Sequence, residues 1–400
     1  MRASTRIPTL RAAVAAVLLA TACAPDGDDR NVGARLIPRV AVEDLRIDGH
    51  ASDLVPIGDL AVGPDGAIAI TQSQDNNVRV FAPDGTLHAT VGRAGSGPGE
   101  FQFISRVGWL GDTLWVVDPA QQRISFFGPD LAFVRSIQTP VARPAPADSA
   151  RLPDFPFVLP MGVYPDGDLL ATVMTAAGQV HSSFDASTTP LARVSPDGIV
   201  RRLVARIPPN PGSIRVENET GIFTMQTPFF ASPHFDGAPD ASRIGFVTTD
   251  VDGSNAGTFH VWVIGSEGDT LVSRRFPFTG VPIPGSVADS VKELRASRAQ
   301  IPAMQRAIRE LELPPVYAPV EGILMGRDHS IWIQLRAVED MRPWLVLDAQ
   351  GAILDTIRLA RNVRIRVADQ QTVWATATDE VDVQSVVRYR LERGDPAPAP

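Results

Sequence analysis

Asp250, Asp252, Gly253 and Asn255 have the oxygen donors and spacing of the first half of a calcium loop. Val261 stands where the closing bidentate glutamate of an EF-hand would fall, so the match fails and a solvated turn is the favoured reading. Asp250 and Asp252 stay on a short roll of candidate metal ligands, together with the carboxylates Asp118 and Glu321. Other chemistry is sparse. The six histidines (His50, His88, His181, His234, His260 and His329) are scattered, without the close spacing of a metal-binding helix or finger. No G-x-S-x-G nucleophile elbow occurs. Gly92 to Gly99 is glycine-rich but runs through Pro98 towards a strand, which makes it a turn and not a phosphate cradle at a helix N-terminus. Lys292, the only lysine, falls in an expected amphipathic helix, where a solvated amine is a better reading than a Schiff base. No catalytic residue is assigned.

The sole cysteine carries a more specific signal. Arg2, Arg6 and Arg11 precede an apolar run from Ala12 to Leu19, too short to cross a bilayer and suited to a signal-peptide core. The run ends in Ala20, Thr21, Ala22 and Cys23, which resembles a bacterial lipobox with Ala where Leu is commoner. That resemblance implies a lipid on Cys23, and a free reactive thiol is the competing reading. With Ala24 following in place of Asp, it also implies the outer membrane, facing the periplasm or the cell surface.

The bulk numbers exclude several classes. A net charge of −8, with no basic run beyond the N-terminus, argues against nucleic-acid binding. Hydrophobic residues at 44% and charged residues at 20% suffice for a substantial core.

The elements that must position these residues come from a repeat. Asp59 to Val91 reads as four short strands: DLAV, a turn at Pro64-Asp65-Gly66, AIAI, a loop, VRVF, a turn at Pro83-Asp84-Gly85, then TLHATV. The first turn of this grammar recurs near Asp112, Asp166, Asp240, Asp328 and Asp369, which makes six units. Five of them show a fourth strand, and the sixth runs out of chain after Glu392. The segment Arg39 to Ile47 is expected to supply the missing strand beside Val386 to Leu391 and so remove the open edge.

The run from Asp59 to Phe101, with its G-x-G-P-G-E-F exit, resembles the NHL-type six-bladed propeller repeat. The stretch from Leu313-Pro314-Pro315 through Tyr317 and Pro319 to Leu354 resembles a group of bacterial six-bladed propeller lipoproteins of undefined function. The expected fold is therefore all-β, a six-bladed β-propeller whose last blade is closed by an N-terminal strand, with a small helical insertion. The expected divisions are a signal peptide (1–22), a lipidated flexible tether (23–37), the propeller (38–393, helical insertion at about 284–313) and a disordered tail (394–400). Pro302 should break the insertion into two short helices.

Four long extra segments, 140–156, 174–189, 208–226 and 281–318, all fall between second and third strands or between blades. They are expected to gather on one face, as a binding surface carried by a rigid scaffold. Arg106, Arg336 and Glu321 are the residues expected to line its mouth. The functional expectation is a lipid-anchored, extracytoplasmic, monomeric propeller without cofactor. It would bind a protein, peptide or glycan through that face and touch the membrane only through its lipid. The alternative is a calcium-dependent hydrolase or lactonase using the central channel, since six-bladed lactonases that this chain resembles hold calcium with such carboxylates.

Overall fold

A computed structural model describes residues 39–54, 56–139, 141–145, 154–174, 188–218, 221–251 and 255–393. Cys23, Asp252, the signal peptide, the tether and the 394–400 tail lie outside the described residues.

The chain enters as β1 (Arg39–Ile47) and lays down blade 1 as β2 (Ile57–Val62), β3 (Ile68–Gln72), β4 (Asn77–Phe81) and β5 (Leu87–Val91). Blade 2 is β6 (Arg106–Leu110), β7 (Thr113–Asp118), β8 (Arg123–Phe127) and β9 (Phe133–Gln138). After a two-residue strand, β10 (Arg143–Pro144), blade 3 follows as β11 (Phe157–Val163), β12 (Leu169–Met174), β13 (Thr189–Val194) and β14 (Ile199–Ile207). A hairpin of β15 (Ser213–Asn218) and β16 (Gly221–Gln226) leads to blade 4: β17 (His234–Gly237), β18 (Arg243–Val251), β19 (Ala256–Gly265) and β20 (Thr270–Thr279). Helices α1 (Gly285–Arg298) and α2 (Pro302–Arg309) come next. Blade 5 is β21 (Val320–Met325), β22 (Ile331–Leu335), β23 (Met341–Leu347) and β24 (Ile353–Ala360). Blade 6 is β25 (Val363–Ala368), β26 (Thr372–Thr378) and β27 (Gln384–Arg393), with β1 as its fourth strand. The fold is a six-bladed β-propeller closed by its N-terminal strand, and the closure runs antiparallel from Arg39 opposite Arg393 to Ile47 opposite Val386.

The turns explain why these short strands fold back where they do. Asp65 Oδ1 accepts the N–H of Ala67, and Gly66 takes a φ of +87° that residues with a Cβ rarely adopt. The same aspartate device recurs at Asp84, Asp240, Asp328 and Asp369. Second strands are sandwiched between neighbouring blades, so all five residues of β3 are buried and β7 is buried from Leu114 onwards. One apolar cluster fills each of the six blade interfaces. Each fully buried Phe, Leu or Ile there contributes about 1.5–3 kcal/mol, more than an exposed ion pair, and this is what holds the disc shut.

The turns from first to second and from third to fourth strands share one face of the disc, here the turn face, and all other connections meet the opposite loop face. The excursions after β14 and β20 leave from the loop face and return to it. The segment between β9 and β11 departs from the expected gathering. Its β10 pairs in parallel with the start of β14, and Arg143 N–H bonds Gly198 O at 2.8 Å on the turn side. The helical insertion is stem-closed, because Ile283 N–H bonds Pro315 O and Tyr317 N–H bonds Val281 O. Pro302 opens α2 at its first turn, where its missing N–H costs nothing. The pair packs beside the β15–β16 hairpin, with Arg295 Nη1 donating to Gln226 O at 2.8 Å.

Candidate functional site

The first strands β2, β6, β11, β17, β21 and β25 surround the axis, and charged side chains from four of them interact across it. Asp59 Oδ2 accepts the N–H of Val107 at 3.2 Å, tying blade 1 to blade 2. Asp236, at the equivalent third position of β17, accepts the N–H of Met325 at 2.8 Å and ties blade 4 to blade 5. Arg366 donates to the carbonyl of Gly58 and joins blade 6 to blade 1. Carboxylates and a guanidinium thus satisfy main-chain groups that the innermost strands leave unpaired.

Asp236 also interacts electrostatically with Arg106 and with Asp59, which stand on blades that do not adjoin its own, so these groups face one another around the axis. Asp236 keeps some surface towards the channel but has protein on every side. Burial therefore pushes its carboxyl up to about 6, against the opposing pull of the Met325 N–H and Arg106. Burial lowers Arg366, which Asp59 partly offsets, and Arg364 as a like charge lowers it further. Burial also lowers His234, against a hydrogen bond to the Val320 main chain and the charge of Glu321. The arrangement can hold a charged or hydrogen-bonding group on the axis.

Arg106 opens the first strand β6 and is exposed, and among the described residues neither the Arg106 nor the Arg364 side chain has a hydrogen bond or ion pair. Glu321 is exposed on β21 and accepts from Gln334 Nε2 at 3.1 Å. Arg336, also expected at the mouth, directly follows the second strand β22 where it reaches the loop face. Its guanidinium covers the Tyr317 ring at 3.8 Å, and Tyr317 meets Phe229 edge-on at 5.3 Å.

Among the described residues, the candidate metal ligands Asp118, Asp250 and Glu321 are not brought together. Asp118 is buried in blade 2, where Oδ2 accepts from Gln102 N and Gln121 Nε2 and Oδ1 accepts from Gln121 N, so it braces a connection between blades. Asp250 is exposed in blade 4, opposite Thr258, and Glu321 belongs to blade 5. Among the described residues no group of three or more His, Cys, Asp or Glu side chains is placed to hold a metal ion.

Sequence reasoning missed Asp59, Asp236, Arg364 and Arg366. The available signal was a charged residue at the middle of a first strand, as in IGDLAV and HFDG, where a strand buried on both faces would be apolar throughout.

The loop face carries a group of apolar side chains left in water. Phe103 (50% exposed), Phe157 (51%), Leu159 (41%), Val281 (56%), Val338 (62%) and Val381 (70%) come from first strands, connections between blades, or loops joining second and third strands. Exposed apolar residues also stand on outermost strands at the rim: Val40, Val42 and Val134, and at the turn-face starts of the fourth strands Leu87, Phe133, Leu271 and Ile353. Among the described residues, no exposed large apolar side chain lies in a tight turn of the opposite face.

No protein family and no curated protein matches the sequence. Solved structures match it by fold. A member of the DUF4221 family from Bacteroides vulgatus gives a TM-score of 0.52 at 9% identity, over 90% of this chain and 99% of its own. The PQQ-bound aldose sugar dehydrogenase of Streptomyces coelicolor (TM-score 0.41, 11% identity) covers 89% of this chain and 99% of its own. A gluconolactonase of Xanthomonas campestris (TM-score 0.36, 14% identity) covers 89% and 98%. Identities this low speak to the fold alone.

Proposed function

We propose that this chain is an exported propeller, anchored by a lipid on Cys23, that binds a protein partner through its loop face. The observation that carries the reading is the concentration of exposed apolar side chains on that face, around a channel mouth edged by Arg106, Glu321 and Arg364. Apolar surface gathered on one side and rimmed by charge is the ordinary composition of a recognition surface. Export and anchoring rest on the basic start, the short apolar run and the single cysteine directly after it.

The test compares the full chain with a double variant, Phe103→Glu and Val338→Glu, and with the rim variant Leu87→Glu. After crosslinking in intact cells, the partner should be lost from the loop-face variant and kept by the rim variant. Equal crosslinking by both would overturn the reading. Labelled palmitate should enter the parent chain and not Cys23→Ser, which tests the anchor separately.

A further inference from the structure

The turn face carries a different site, where blade 6 meets blade 1. A cavity of about 340 Å³ is lined there by Asp44, Arg327, Asp369, Trp374, Arg388 and Arg390, among others. A β-bulge between Glu43 and Leu45 takes Asp44 out of the regular pairing of β1 and turns it towards β27. Its two oxygens then hold two guanidinia by their Nε atoms, Arg388 at 2.7 Å and Arg390 at 3.1 Å. The terminal nitrogens of both are left with long contacts only: Arg388 Nη1 to Pro83 O at 3.4 Å and Arg390 Nη2 to Glu392 at 3.4 Å. Arg388 also rests over the indole of Trp374, 5.3 Å from its centroid, which fixes the plane of the guanidinium. Arg327 comes from the first turn of blade 5, and its guanidinium makes only a long contact, Nη2 to Gly63 O at 3.5 Å. Asp369 commits Oδ1 to the N–H groups of Gln371 and Thr372.

Three guanidinia thus line one small cavity against two carboxylates, with terminal N–H groups to spare. Like charges this close repel one another, and an oxyanion among them would relieve that repulsion. Guanidinia from two walls suit the diverging free oxygens of a tetrahedral phosphoryl group, in a monoester or a diester, better than the coplanar pair of a carboxylate. We propose that this cavity binds a phosphoryl oxyanion, carried by a small phosphomonoester or by a phospholipid headgroup. The headgroup source has a geometric basis that rests on the anchor at Cys23: β1 begins on the turn side at Arg39, so a lipidated N-terminus would leave from the face that holds the cavity.

The full chain carrying Cys23→Ser is titrated calorimetrically with glycerol 3-phosphate, and separately sedimented with phosphatidylglycerol or phosphatidylcholine vesicles. The variants are Arg327→Gln, Arg390→Gln and, outside the cavity, Arg358→Gln. Binding of glycerol 3-phosphate that weakens about tenfold or more in Arg327→Gln and is unchanged in Arg358→Gln supports the site with a soluble ligand. Selective sedimentation with phosphatidylglycerol, reduced in Arg327→Gln alone, supports it with the headgroup as the source. Absence of both, or binding indifferent to Arg327→Gln, overturns it. Arg390 stands on β27 beside the closing strand, so Arg327→Gln carries the test if Arg390→Gln unfolds.

Discussion

Asp236 shows how one side chain can serve the architecture at some cost to stability. Its carboxylate caps a main-chain N–H of the next blade, yet burial raises its pKa from 3.8 to about 6. The folded protein therefore holds the proton more tightly than the unfolded chain does. Below about pH 4 both states are protonated and nothing is lost, and as pH rises through about 4 to 6 ionisation works against the fold. Asp236→Asn keeps an oxygen for Met325 and removes the charge. Its melting temperature should match the parent at about pH 4 and exceed it at about pH 8, by on the order of 1 kcal/mol after screening by channel water. A variant less stable at the higher pH would show that attraction to Arg106 outweighs burial. At this scale the sequence was least legible. Arg106 and Glu321 drew attention where strands meet the loop face, whereas Asp59 and Asp236 sit inside first strands. There an acidic residue looks like the polar half of an ordinary alternation, and only closure of the ring brings four blades' charges onto one axis.

Elements were legible where hydrophobic period and turn chemistry agreed. The strands of every blade, and the pairing of Arg39–Ile47 with the last blade, follow from Val-, Ile- and Leu-rich runs separated by Asp turns. The two helices follow from helical spacing interrupted at Pro302. The hairpin β15–β16 and the two-residue β10 did not announce themselves. The first sits inside an insertion, outside the repeat, and β10 is specified by its partner on β14 more than by its own residues. The closing strand is fastened at its first residue. Arg39 Nε lies 2.8 Å from Asp355 Oδ2 on β24 of blade 5, and the Asp355 side chain is only 3% exposed. Removing one partner of so enclosed a pair leaves a buried charge, which costs about 3–5 kcal/mol, far above the 0–1 kcal/mol of an exposed pair. Arg39→Met should accordingly lower the unfolding free energy by that amount, softened by the Arg39 N–H that still reaches Asp355. A variant within about 0.5 kcal/mol of the parent would show that the closure depends on its strand pairing alone.

The molecule as a whole divides its labour between two faces. Tight Asp turns fix one side, and long connections with exposed apolar side chains occupy the other, so evolution could vary the second without disturbing blade packing. The number of blades, the closure and the placing of the insertions after β14 and β20 could be read from the repeat. The arginine cavity could not, because its residues come from β1, blade 5 and blade 6, far apart in the chain and neighbours only in the closed disc.

Closure has one more consequence. Arg39 and Arg393 are direct partners across β1 and β27, so the two ends of the propeller stand about 5 Å apart, the Cα spacing of paired antiparallel residues. In topological terms the fold is a loop with no privileged starting point, and the order of its genes' codons is one of several equivalent cuts through a circle. Joining 393 to 39 by a short Gly/Ser linker and opening the chain between Gly111 and Asp112, in a turn with nothing within 4 Å of where a Gly111 Cβ would stand, should give the same disc. A circular dichroism spectrum unlike that of the parent would mean that β1 must be made first for the last blade to form.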